Sequence, residues 1–99
     1  ETAANNCDFG EVYATDGRIP ALGMTLVEDP GVNLLYNVSG TIGLDKYNEA
    51  PEAFDAIINA ILAPLTNIRM AELNGYVSAE GQDAGVVARE YLVSEGLID

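Results

Sequence analysis

Histidine and tryptophan are absent from this 99-residue sequence, cysteine occurs once, and Lys and Arg together number 4. Without histidine, neither a Cys/His zinc site nor a serine or cysteine nucleophile activated by imidazole can be assembled. The lone Cys7 cannot close an internal disulfide and is expected to be a small buried apolar residue. Four basic residues against 16 Asp and Glu leave a formal charge of −12. No cationic footprint therefore exists to neutralise nucleic-acid phosphates or to dock on an anionic membrane. No apolar run approaches the roughly 20 residues of a membrane-spanning helix. Enzyme chemistry is poorly supplied, and no metal or organic cofactor is expected.

What is present suffices for folding. Hydrophobic residues make up 48% of the chain, far more than a disordered sequence carries. A chain of this length supports one domain and buries roughly two thirds of its extended surface. It opens on Glu-Thr-Ala-Ala-Asn-Asn with no initiator methionine, which leads to the expectation that it is part of something larger.

The residue pattern divides the chain in two. Residues 10–14, 21–27 and 33–38 carry β-branched and aromatic content and are read as three strands. Between the first two, Thr15-Asp16-Gly17-Arg18 is a turn, with Gly17 suited to a positive φ. Beyond residue 43 the period changes. Phe54, Ile57, Ile58, Ile61, Leu62 and Leu65 share one face of a helix that Pro51 opens and Pro64 bounds. Thr66 caps a second helix, ending near Gly75, and Asp83 a third, stopped at Gly96. Three strands followed by three helices, without βαβ alternation, make a poor independent domain, because strands need a sheet to join.

Several elements in order complete the picture: Tyr13-Ala14-Thr15-Asp16-Gly17-Arg18-Ile19, Leu26-Val27-Glu28-Asp29, Tyr36-Asn37-Val38, Met70-Ala71-Glu72-Leu73-Asn74 and Val87-Ala88-Arg89-Glu90-Tyr91-Leu92. At these spacings the chain resembles the C-terminal part of the extracytoplasmic substrate-binding proteins of glycine betaine/carnitine/choline ABC transporters. The resemblance implies an α/β fold, here a partial lobe of the type II periplasmic-binding-protein kind. Residues 1–29 would end the second lobe and form the hinge strand, and residues 30–99 would return to the first lobe. It also implies capture of a quaternary ammonium solute in a tyrosine cage and delivery to a membrane permease.

Such a cation has no N–H to donate, so aromatic faces bind it, at about 0.5–2 kcal/mol per ring. Tyr13 and Tyr36, 23 residues apart, match the family's cage tyrosines. Thr15, Asp16 and Arg18 would line the cleft or set the hinge. The sequence departs from the family in having Leu34-Leu35 where Pro-Pro is frequent, and Thr41-Ile42-Gly43 where a basic residue is common.

Other readings stand beside this one. Asp16 with Glu28 or Asp29 could be a carboxylate pair, although surface acids are the default. Tyr47, Tyr76 and Tyr91 match no cage position and are read as surface or packing rings. The alternative function is a stand-alone acidic interaction module that shares the transport lobe but has lost the solute. An isolated chain with exposed strand edges is expected to self-associate through them.

Overall fold

The computed structural model describes residues 2–33 and 37–99, and the chain falls into two units, Glu1–Glu28 with Thr66–Asp99, and Asp29–Leu65. The first begins with a single 3-10 turn at Thr2–Ala4 and contains helices α1 (Arg18–Ala21), α4 (Asn67–Ser78) and α5 (Ala84–Ser94). The second contains α2 (Leu44–Glu49) and α3 (Pro51–Leu62).

In the first unit α4 is the central element, with α1 packed on one side and α5 on another. Its N-terminus is set by Thr66, whose hydroxyl accepts from the Arg69 N–H at 3.1 Å. The α5 N-terminus is set by Asp83, whose carboxylate accepts from the N–H groups of Gly85 and Val86. Both side chains satisfy helix donors that lack an intrahelical partner. α5 stops at Gly96, as its sequence anticipates, with the Gly96 and Leu97 N–H groups turned back onto Val93 and Leu92. The buried apolar residues are Ile19 of α1, Ala71 of α4, and Val87 and Tyr91 of α5. Tyr91 is a packing ring, and the Arg69 guanidinium stands 5.9 Å from its centre. Burial pushes its phenol pKa up, Glu95 adds to the effect, and Arg69 opposes it.

The contact between α1 and α4 is unusually close. A Cβ built on Gly17 would sit 2.5 Å from the Gly75 Cα, and one built on Gly75 would sit 3.3 Å from the Gly17 carbonyl oxygen. Gly17 has φ −63°, an ordinary helical value. The positive φ expected from its turn sequence is therefore not adopted. What this position needs is the missing side chain.

In the second unit Tyr47 of α2 meets Phe54 of α3 edge to face, with ring centres 5.6 Å apart. The Tyr47 hydroxyl donates to Asp55 at 3.0 Å. α3 starts at Pro51 and carries Glu52 in its first turn, which suits the positive end of the helix dipole. The loop ahead of α2 is organised by Asp29, whose carboxylate accepts from the N–H groups of Gly31, Val32 and Asn33. These bonds hold its pKa below the usual range. No described residue of this unit is fully buried.

The α/β architecture with three N-terminal strands is not what forms: among the described residues there are helices and no strand. The first two expected strands fail differently. Residues 10–14 run into a turn in which the Asp16 N–H reaches the Tyr13 carbonyl at 2.9 Å. In 21–27, Ala21 still belongs to α1, and Gly23 (φ 63°) closes that helix while the Met24 N–H returns to the Ile19 carbonyl. This is a glycine-terminated helix end, and only glycine takes that backbone conformation without strain. Of 33–38, Leu34, Leu35 and Tyr36 lie outside the described residues, and the rest carry no strand. Residues 24–27 carry β-forming side chains but no ladder partner, and a strand exists only as a member of a sheet. The strand-edge route to self-association accordingly has no structural basis among the described residues.

Two smaller expectations also change. Cys7 is exposed, its sulfur 3.5 Å from the Thr2 hydroxyl, instead of buried. α4 continues past Gly75 to Ser78, because Gly75 serves the contact with α1 and does not end the helix.

Two stability measurements check this account. Gly17→Ala forces α1 away from α4 and should destabilise the protein by about 1–3 kcal/mol in urea unfolding followed by circular dichroism. Asp83→Ala removes a cap that serves two N–H groups and should cost about 1 kcal/mol in the same assay.

Candidate functional site

Of the five residues singled out from the sequence, Arg18 opens α1, and three, Tyr13, Thr15 and Asp16, lie in the one short turn before it. Tyr13 stands at its first corner, 72% exposed, and its carbonyl accepts from the Asp16 N–H. Thr15, at the third position, is half-buried, and its carbonyl accepts from the Asn74 side-chain amide at 2.7 Å. Asp16 closes the turn and leads into α1. Its carboxylate accepts from the Arg18 backbone N–H at 2.9 Å and from the Arg18 guanidinium, through Nε at 3.0 Å and Nη2 at 2.5 Å. Tyr36, the fifth, lies outside the described residues.

The turn forms for local reasons. An aspartate carboxylate readily binds the N–H two residues on, and Gly17 supplies a corner without a side chain. The Arg18 fork then matches the same carboxylate through two nitrogens. The Asp16 pKa is pulled down to about 2, first by the Arg18 side-chain hydrogen bonds and then by the backbone bond. Arg18 projects into solvent, with 68% of its side chain exposed, yet its charge is paired.

Asn74 is the participant that pattern reading missed. It stands in the Met-Ala-Glu-Leu-Asn segment, but nothing in the sequence links it to Thr15, 59 residues earlier. Its signal was a polar amide on the face of α4 that also carries the buried Ala71 and Gly75. The carboxylate-pair reading gains no support. Asp16 is engaged by Arg18, and Asp29 by its own loop. No group of three His, Cys, Asp or Glu among the described residues could hold a metal ion. A separate cleft of about 220 Å³ opens between α1 and α4, floored by Gly17, Ala21 and Gly75 and walled by Glu72, Tyr76 and Glu80. Tyr13 does not line it.

The ion pair yields a pH prediction. Because the native pKa of Asp16 is depressed, the stability it contributes is complete above the unfolded value near 4 and is lost as pH falls toward 2. Acid unfolding followed from pH 5 to pH 2 should show a shallower pH dependence in Asp16→Asn than in the unsubstituted protein. An identical slope would remove the pair from the account.

Comparison with known proteins points the same way as the motifs. A family model described as the substrate binding domain of ABC-type glycine betaine transport systems matches residues 1–94. The glycine betaine-binding protein YehZ of Escherichia coli (strain K12) is 32% identical over 85 residues, 85% of this chain. The chain spans only 28% of that relative's length. No solved structure matches. With nearly its whole length inside the family match, this chain belongs to the substrate-binding domains of ABC-type glycine betaine transport systems.

Proposed function

We propose that the protein carrying this chain is the extracytoplasmic solute-binding component of an ABC importer. It captures a quaternary ammonium osmolyte such as glycine betaine, choline or carnitine and hands it to a membrane permease. No bond is made or broken, and no cofactor takes part. Tyr13 and Tyr36 each lend a face to the cation, and the remaining walls come from other parts of the binding protein. Closure of the lobes follows from the ligand's better contacts in the closed state.

The observation that carries this reading is the placement of Tyr13: an exposed ring at the corner of a turn held at two further points, within the family match. A turn whose backbone is already held loses little freedom when its ring closes on a ligand, so more of the cation–π attraction appears as affinity. The neighbouring Arg18 does not oppose a cation, because Asp16 neutralises it. The net charge of −12 attracts a cation over longer range, an effect that salt screens.

One observation favours the interaction-module alternative. Large apolar side chains are widely exposed, among them Phe9 at 80% and Val32 at 83%. Such surface demands a covering, which the remaining lobes of a binding protein would supply as well as a foreign partner.

Calorimetric titration with glycine betaine and with choline separates the two. Tyr13→Ala should weaken binding by roughly 2- to 30-fold, the affinity equivalent of one cation–π contact. Tyr13→Phe should retain most of it. Absence of heat with either solute would favour the interaction module, and unchanged affinity in Tyr13→Ala would remove this ring from the cage.

A further inference from the structure

We infer that Asn74 is a positioning residue for solute capture: its side-chain amide holds the Thr15 carbonyl and thereby fixes the turn from which Tyr13 presents its ring. The inference rests on the reading of Tyr13 as a cage residue. It adds that affinity for the solute is set in part from α4, by a side chain that does not touch the solute.

The geometry behind it is a two-point attachment. In the turn 13–16 the Tyr13 carbonyl is occupied by the Asp16 N–H. The Thr15 carbonyl points out of that bond and is met by Asn74 Nδ2 at 2.7 Å in a part-buried setting. One residue further along α4, Gly75 lies against Gly17 with no side chain between them. Thr15 and Gly17 on one segment are thus matched to Asn74 and Gly75 on the other. The glycine pair brings the two backbones close enough for the short asparagine side chain to reach. Asn74 lies inside α4, and its own carbonyl accepts from Ser78 Oγ at 2.7 Å.

The chemistry requires a donor at position 74. A carbonyl accepts only, so an amide satisfies it. A carboxylate of the same shape offers no hydrogen and repels it. Leaving the Thr15 carbonyl without its donor favours a shift of the turn toward water, and Tyr13, two residues earlier, moves with it.

The test is a double-mutant cycle on solute affinity in the full-length protein that carries this chain, with glycine betaine as the probe and thermal unfolding measured in parallel. Asn74→Asp should weaken glycine betaine binding by about 2- to 13-fold, the equivalent of one hydrogen bond. Asn74→Gln, which keeps the donor, should recover part of that loss. In a Tyr13→Ala background Asn74→Asp should cause no further loss of affinity, because the ring it positions is gone. A residue important only for folding would lower the unfolding temperature equally in both backgrounds and leave affinity untouched, and that result overturns the inference. So does a loss of affinity that is the same with and without the Tyr13 ring. If Tyr13→Ala itself leaves affinity unchanged, the cage reading fails and this inference fails with it. Where Asn74→Asp does not fold, Asn74→Gln carries the same cycle: its smaller loss must vanish in the Tyr13→Ala background.

Discussion

Gly17 and Gly75 lie far apart in the chain, and their direct contact is the constraint on which the first unit depends. α1 has only four residues, too few to persist as an isolated helix, so its order must come from what it packs against. The glycine contact brings Ile19 into the small core beside α4 and α5, and it brings Asn74 within reach of Thr15. The turn that carries Tyr13 is then held from two directions, by the amide from α4 and by the Asp16–Arg18 pair within the segment itself.

The electrostatic design is consistent with a neutral or cationic guest. Of the basic residues, Arg18, Lys46 and Arg69 are each paired with a carboxylate, so none of the three presents an uncompensated positive charge. A quaternary ammonium cannot be gripped by those carboxylates through hydrogen bonds. An aromatic face attracts it without the desolvation that a buried carboxylate would impose. Tyr91, in the same unit, is instead buried in the core beside Arg69, whereas Tyr13 is exposed.

The helical half of the molecule was legible in the sequence because its signals are local. The period from Phe54 to Leu62, the caps at Thr66 and Asp83 and the stop at Gly96 depend on residues within a turn or two of one another, although α3 ends at Leu62 and does not reach Leu65. The N-terminal half was misread because β-forming residues announce a preference for extended backbone, and only a distant partner turns that preference into a strand. Gly23 carried the correct local signal for the end of α1, but it was outweighed by the surrounding β-formers. Tyr13, Thr15, Asp16 and Arg18 were grouped by their motif, and the first three share one turn that Arg18 follows in α1. Asn74 was not found, because a contact across 59 residues leaves no trace in spacing. α2 was likewise missed, since six residues from Leu44 to Glu49 are too short to establish a period.

The central claim is that the Tyr13 ring faces the solute. Nuclear Overhauser contacts between the N-methyl protons of bound glycine betaine and tyrosine rings test it most directly, with the Tyr13 signals identified by their loss in Tyr13→Phe. The account predicts contacts to the Tyr13 ring and an upfield shift of the N-methyl resonance on binding. Bound glycine betaine with contacts to other rings and none to Tyr13 would contradict it.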